Sequence, residues 1–160
     1  MEGPTEVSAD LPAPPSEVLA VIADLAAYPE WVAGTTEVTV LDADAAGLPL
    51  RARFAVAGGP VRGRWTLQYT WAVQPDGTGE VSWTLVQGDV LRRLDGSHRL
   101  RAVGTGTRVT SRLAVELRLP VVGALRRRAE RFLVERELAD LRARVEDHGP
   151  AGRSRPDKEA

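Results

Sequence analysis

Five polar side chains in this sequence fall where a pocket would use them: Tyr69, Gln87, His98, Ser111 and Arg136. A histidine exchanges protons near neutral pH, while a phenol and a guanidinium donate hydrogen bonds to a developing oxyanion. An amide or a hydroxyl fixes a polar group of a ligand. The first four lie on the side of a β-strand that also carries large apolar residues, and Arg136 continues an apolar arc of a helix. Each also has a structural reading. The Tyr69 hydroxyl can bond to a backbone group or to bound water, and Ser111 to the sheet. His98 lies beside a turn, as satisfied core or edge histidines do. Gln87 precedes Gly88, where a bulge would turn it outward. Arg136 can snorkel at the helix edge. Asp89 and Asp95, in "GDVLRRLDG", read as hairpin residues. The spacing of these groups matches no catalytic motif.

Composition narrows the chemistry further. The 160 residues include no cysteine, which rules out disulfides, thiolate nucleophiles and thiolate metal sites. Only two histidines occur, His98 and His148, so no histidine-rich metal site forms, and a carboxylate site has no support. Neither a metal nor any other cofactor is expected. The formal net charge is −1, too weak a field for nucleic acid to be the main partner. The first residues lack the basic-then-apolar pattern of a signal peptide. No apolar run approaches the roughly 20 residues that span a bilayer. A cytoplasmic protein is expected, with transient membrane contact and oligomeric state left open.

The elements that must position these groups follow from periodicity. "EVSADLP" (6–12) alternates as a first strand. Pro14 and Pro15 open a helix in which Val18, Val21, Ile22 and Leu25 share one face. Pro29 is expected to end it, with a short second helix over 29–34. Six further strands follow, near 36–44, 50–57, 61–73, 80–88, 97–103 and 108–119, separated by Gly-, Pro- and Asp-rich turns. A long helix runs from about 122 to 147, and the polar residues 148–160 read as a disordered tail. One domain over residues 1–147 is expected.

The thirteen residues of strand 61–73 would extend roughly 40 Å, against a radius of gyration of roughly 15 Å for a compact chain of this length. Such a sheet must curve around something, and the long helix is the only large candidate. Alternation places Phe54, then Trp65, Leu67, Tyr69 and Trp71, on the inner face. Trp83, Leu85, Gln87, His98, Ser111 and Leu113 follow on later strands. On the helix, Leu125, Ala129 and Phe132 share a narrow arc, while Val134, Leu138, Leu141 and Val145 lie nearly opposite. These inner residues either fill a solid core or wall a cavity.

The order of elements resembles the helix-grip fold of the SRPBCC (START/Bet v 1-like) superfamily. Within it, the chain is similar to the bacterial polyketide cyclase/dehydrase and Coq10-like branch. The likeness rests on "VIADLAAYPEWVAGTTEVTVLD" (21–42), "VSWTLVQGDVLRRLDGSHRL" (81–100) and the arginine-rich closing helix, and covers residues 5 to about 147. It implies an α+β fold, with a curved seven-stranded antiparallel sheet around the C-terminal helix and two short helices after the first strand. It also makes the inner aromatics a cavity wall, the Phe54–Leu113 and Leu125–Phe132 sets above being the ligand-binding candidates.

Three functions are then open. The leading one is a carrier or sensor of a small hydrophobic molecule of lipid, isoprenoid or aromatic polyketide type, which needs only an apolar cavity. The second is a polyketide cyclase or dehydratase, with His98 as base, Tyr69 as donor to the enolate and Arg136 beside them. The third is an interaction protein that uses the basic run "RRRAER" (126–131), for example on the ribosome. Residues 118–144 hold eight arginines against four carboxylates. The same run also reads as a solvated face laced with i, i+4 ion pairs.

Overall fold

The alternation becomes one seven-stranded antiparallel sheet in the computed structural model, whose described residues are 3–57, 62–119 and 122–147. The strands are β1 (Thr5–Leu11), β2 (Thr35–Ala43), β3 (Pro49–Val56), β4 (Gly63–Val73), β5 (Gly79–Gly88), β6 (Leu91–Val103) and β7 (Gly106–Leu117). Their spatial order is β1-β7-β6-β5-β4-β3-β2. Between β1 and β2 run helix α1 (Pro15–Ala23), a 3-10 turn (Leu25–Ala27) and the single-turn helix α2 (Tyr28–Trp31). The chain closes with α3 (Gly123–Asp147), packed against β1, β7 and α1. This is the helix-grip arrangement expected.

Two strand irregularities decide which side chains face inward. A bulge in β5 places both Gly88 and Leu85 inside, opposite Trp65 and Leu67, while Gln87 pairs with Thr66 and turns to solvent. The second corrects the expectation that 89–96 is a connection between strands. Only Asp89 and Val90 lie between β5 and β6, and β6 already starts at Leu91. A register shift between Leu91 and Arg93 then lets Leu91 and Leu94, three residues apart, both be buried. Asp89 does serve the connection, since its Oδ1 accepts the Arg64 N–H at 3.1 Å. Asp95 instead sits within β6, accepting from Thr84 Oγ1 at 2.8 Å and Arg93 Nε at 2.7 Å.

The helices depart from expectation as well. Helix α1 stops at Ala23, before Pro29 is reached, because Asp24 leaves helical geometry at φ −85° and ψ 71°. Pro29 falls in the first turn of α2, where its missing N–H costs nothing. That second helix ends at Trp31, short of Gly34.

The larger correction concerns α3. Its buried stripe is Val134, Leu138, Leu141 and Val145, whereas Leu125 is 54% exposed and Phe132 is 49% exposed. The stripe begins one turn earlier at a carboxylate, Glu130, which is only 4% exposed. Its Oε2 accepts the backbone N–H of Val115 at 2.8 Å and its Oε1 the Thr5 hydroxyl at 2.7 Å. Val115 lies beyond the reach of β1, whose register begins with Thr5 opposite Leu113. Glu130 therefore satisfies a β7 donor on the side where β1 no longer reaches. A glutamate carries no apolar periodicity, so the pattern alone favours the arc from Leu125.

The two faces predict different costs. Leu138→Ala is expected to lower unfolding free energy by about 2–5 kcal/mol, and Leu125→Ala by about 0.5 kcal/mol or less. Urea denaturation of both variants checks this, and equal losses would contradict the rotation of α3.

Candidate functional site

Between the sheet and α3 lies a cavity of about 250 Å³. Strands β3 and β4 supply Phe54, Val56, Trp65, Leu67 and Tyr69 to its wall. Strands β5 to β7 supply Trp83, Leu91, Leu94, His98, Leu113 and Val115. Helix α3 closes it with Phe132, Leu133, Arg136, Glu137 and Asp140, and Ile22, Tyr28 and the segment 32–35 complete the lining. The exposed lining residues Ala33, Phe132 and Arg136 mark the mouth. Two ties hold the α2–β2 region to α3 there. Asp140 Oδ2 accepts the Ala33 N–H at 2.9 Å, and Arg144 Nη2 pairs with Glu30 at 3.0 Å.

The aromatic end is built on glycine. Gly96 lies opposite Trp83 in the β5–β6 register, and a Cβ at Gly96 would collide with the indole. The ring thus lies across a gap that only glycine leaves open. Trp83 also meets Tyr69 at 5.8 Å and the His98 ring at 4.9 Å between centroids. Trp71 stacks on Tyr69 at 5.8 Å, but its Nε1–H donates to Pro49 O at 2.6 Å, outside the cavity lining.

Polar groups gather around His98. Its Nδ1 lies 2.6 Å from Ser111 Oγ, and its Nε2 lies 3.6 Å from Glu137 Oε2. His98 is 2% exposed, so this pairing fixes the ring within the wall. Tyr28 donates its hydroxyl to Ile22 O at 2.6 Å, whereas the Tyr69 hydroxyl makes no hydrogen bond among the described residues. Arg136 Nε lies 3.7 Å from Asp140 Oδ1 at the rim. Both tyrosines are held well above the ordinary range near 10, first by burial. For Tyr28 the neighbouring Tyr69 and then Glu137 add to the effect, and for Tyr69 Glu137 does. Among the described residues, no group of three histidine, aspartate or glutamate side chains gathers as metal ligands would.

The structure thus brings Phe54, Trp65, Leu67, Tyr69, Trp83, His98, Leu113, Phe132 and Arg136 to one cavity. It does not bring Trp71, Leu85, Gln87, Ser111, Leu125 or Ala129 into that lining. Gln87 is turned out by the bulge, and Leu125 by the rotation of α3. Ser111 stands behind His98 rather than beside it. Sequence reasoning missed Tyr28, Leu91, Leu94, Glu137 and Asp140. Leu91 and Leu94 were hidden in an assumed turn. Glu137, four residues before Leu141 and one after Arg136, gives no periodic signal, since charged residues mark the solvent side of most helices. Within the basic run, Arg131 makes the pairing of a solvated face with Glu135 at 3.1 Å, whereas Arg126 lies 3.9 Å from the buried Glu130. Residues 58–61 and 120–121, with His148 and the expected tail, lie outside the described residues. No helix among the described residues is long and apolar enough to cross a membrane.

Comparison with known proteins places this geometry in context. A family model described as "Polyketide cyclase / dehydrase and lipid transport" matches residues 11–142. No curated protein gives a significant sequence match. Among solved structures, a START superfamily protein from Mycobacterium smegmatis superposes with a TM-score of 0.83 at 20% identity, covering 91% of this chain and 99% of that one. A Thermus thermophilus protein superposes at 0.76 with 24% identity, covering 92% and 99%. A Streptomyces aromatase/cyclase superposes at 0.69 with 16% identity, covering 93% and 96%. At these identities the likeness is one of fold.

The chain has two tyrosines, and both line the cavity, so their ionisation reports on it alone. Folded-state values raised above the unfolded value near 10 mean that the stability they contribute is complete below that pH. It is lost as pH climbs from there through the folded-state values. A spectrophotometric titration is expected to show no phenolate near pH 10, then ionisation of both rings together with loss of near-UV circular dichroism. A smooth single-site titration near 10 in folded protein would contradict this burial.

Proposed function

The chain belongs to the polyketide cyclase/dehydrase and lipid transport family, and from that footing we propose that it binds one small hydrophobic molecule in the cavity between sheet and α3, as a carrier or sensor. The observation that carries the reading is the wall itself. Aromatic and aliphatic side chains from β3 to β7 face α3 around about 250 Å³ of open space, with a few convergent polar groups. A core of this composition would close such a space if packing alone were selected, because interiors are filled to near-crystal density. A mostly apolar cavity with sparse polar groups is how small-molecule sites are built.

Binding of a naphthalene-type fluorophore tests the reading, since Trp65 and Trp83 in the wall transfer excitation to it. One-to-one saturable binding is expected, weakened at least about tenfold by Leu133→Trp, which pushes a larger ring into the cavity from a half-exposed position. Binding that this substitution leaves unchanged would place the ligand elsewhere. Native mass spectrometry of freshly purified protein, followed by denaturing extraction, would identify any molecule already held.

A second reading is catalytic, and a specific observation favours it: Tyr69, His98, Arg136 and Glu137 all face the same space. In a cyclisation or dehydration of a poly-β-ketone, the His98–Glu137 pair would take an acidic α-proton and the free Tyr69 hydroxyl would donate to the enolate oxygen. The family description and the aromatase/cyclase neighbour support considering it. The protein is then expected to speed hydrogen–deuterium exchange at the α-carbon of a compact 1,3-diketone, by proton NMR, and His98→Gln to abolish that acceleration. Exchange at the solvent rate would leave the binding reading alone.

A further inference from the structure

We propose that Glu137 makes the cavity select ligands by head group, taking a compact ring molecule that ends in a hydrogen-bond donor and refusing the same ring ending in a carboxylate. The inference rests on the binding reading above and adds the chemistry of what is bound. Glu137 projects from the middle of α3 into the lining, and its side chain is 29% exposed. Among the described residues no hydrogen bond reaches either of its oxygens, and its nearest polar partner is His98 Nε2 at 3.6 Å. An acceptor so placed has lost much of its water without gaining a donor, and a ligand hydroxyl or ammonium would supply one.

The other charges near the cavity are engaged elsewhere. Asp140 faces Arg136 with one oxygen and the Ala33 N–H with the other. Arg144 is tied to Glu30. The Tyr28 hydroxyl is held by Ile22 O. His98 keeps Ser111 on its Nδ1 side at 2.6 Å, and its Nε2, 3.6 Å from Glu137 Oε2, stands beyond hydrogen-bond reach of that carboxylate. Glu137 is thus a carboxylate at this end that no hydrogen bond reaches among the described residues, and a ligand carboxylate would set a second acidic group beside it in a poorly solvated space. The same carboxylate already helps keep both tyrosine hydroxyls neutral. Arg136 offers no refuge, because it stands at the mouth with its side chain 53% exposed and already beside Asp140. The available volume of about 250 Å³ falls just under the roughly 300–1,000 Å³ of small-molecule sites. That favours a ligand of two or three rings over a two-chain lipid.

The full chain, titrated calorimetrically near neutral pH with 2-naphthol, 2-naphthylmethylamine and 2-naphthoate, tests the inference. The alcohol and the amine are expected to bind at least about tenfold more tightly than the carboxylate. Glu137→Gln, checked for folding by circular dichroism, is expected to close most of that gap. Glu137→Asp, which keeps the charge, is expected to retain the ranking. Carboxylate binding as tight as that of the alcohol overturns the inference while leaving the cavity reading intact. So does a gap that Glu137→Gln leaves unchanged. Failure of all three probes to saturate overturns the cavity reading, and this inference with it.

Discussion

A single buried carboxylate sets the rotation of the helix on which the whole cavity depends. Glu130 reaches the Val115 N–H where β7 runs past the end of β1, and it takes the Thr5 hydroxyl with its other oxygen. A backbone donor left unpaired there would cost about 1–3 kcal/mol, so the contact favours one orientation of α3 strongly. With Glu130 in place, Val134, Leu138, Leu141 and Val145 follow at helical spacing onto the sheet. Phe132, Leu133, Arg136, Glu137 and Asp140 then turn toward the cavity. Rotating α3 to bury Leu125 and Phe132 would expose the aliphatic stripe and strip Val115 of its partner.

The sheet makes the complementary half of the space through irregularity. A regular β5 would keep Gln87 on the inner face, putting an amide against Trp65. The bulge puts Gly88 there instead, where even a Cβ would come within 3.2 Å of the Trp65 Cβ. In β6 the register shift folds Leu91 and Leu94 into the wall, and Gly96 leaves room for the Trp83 indole to lie flat across the strand. The hydrophobic lining is thus continuous, although neither strand is regular enough to produce it by alternation alone.

Against that lining, the polar groups sit close together and on different elements: His98 on β6, Tyr69 on β4, Tyr28 on α2 and Glu137 on α3. Their concentration at one end gives the cavity an apolar body and a charged pole. On the proposed reading, the apolar body would retain a hydrophobic molecule and the pole would orient it. Carrier, sensor and enzyme differ only in what happens to the ligand once it is oriented. The same geometry is therefore shared by the two readings of function, and chemistry at the ligand separates them.

Strand alternation in "GRWTLQYTW" was enough to place Trp65, Leu67 and Tyr69 on an inner face, because a strand has only two sides and water chooses between them. The order of elements and the need for the sheet to curve around the last helix were equally legible. So were the candidates Phe54, Trp83, His98 and Leu113 as inward groups. The sequence by itself therefore determined the architecture and most of the apolar wall. Tertiary structure alone decided the rest. Gln87 and Leu91 depend on bulges, which arise from pairing between strands and leave no period in one strand. Leu125, Glu130 and Glu137 depend on how α3 is rotated, and that rotation is set by an unpaired donor on β7, distant in sequence. A helix carrying two weak apolar arcs cannot report which one will be buried until the surface it meets exists.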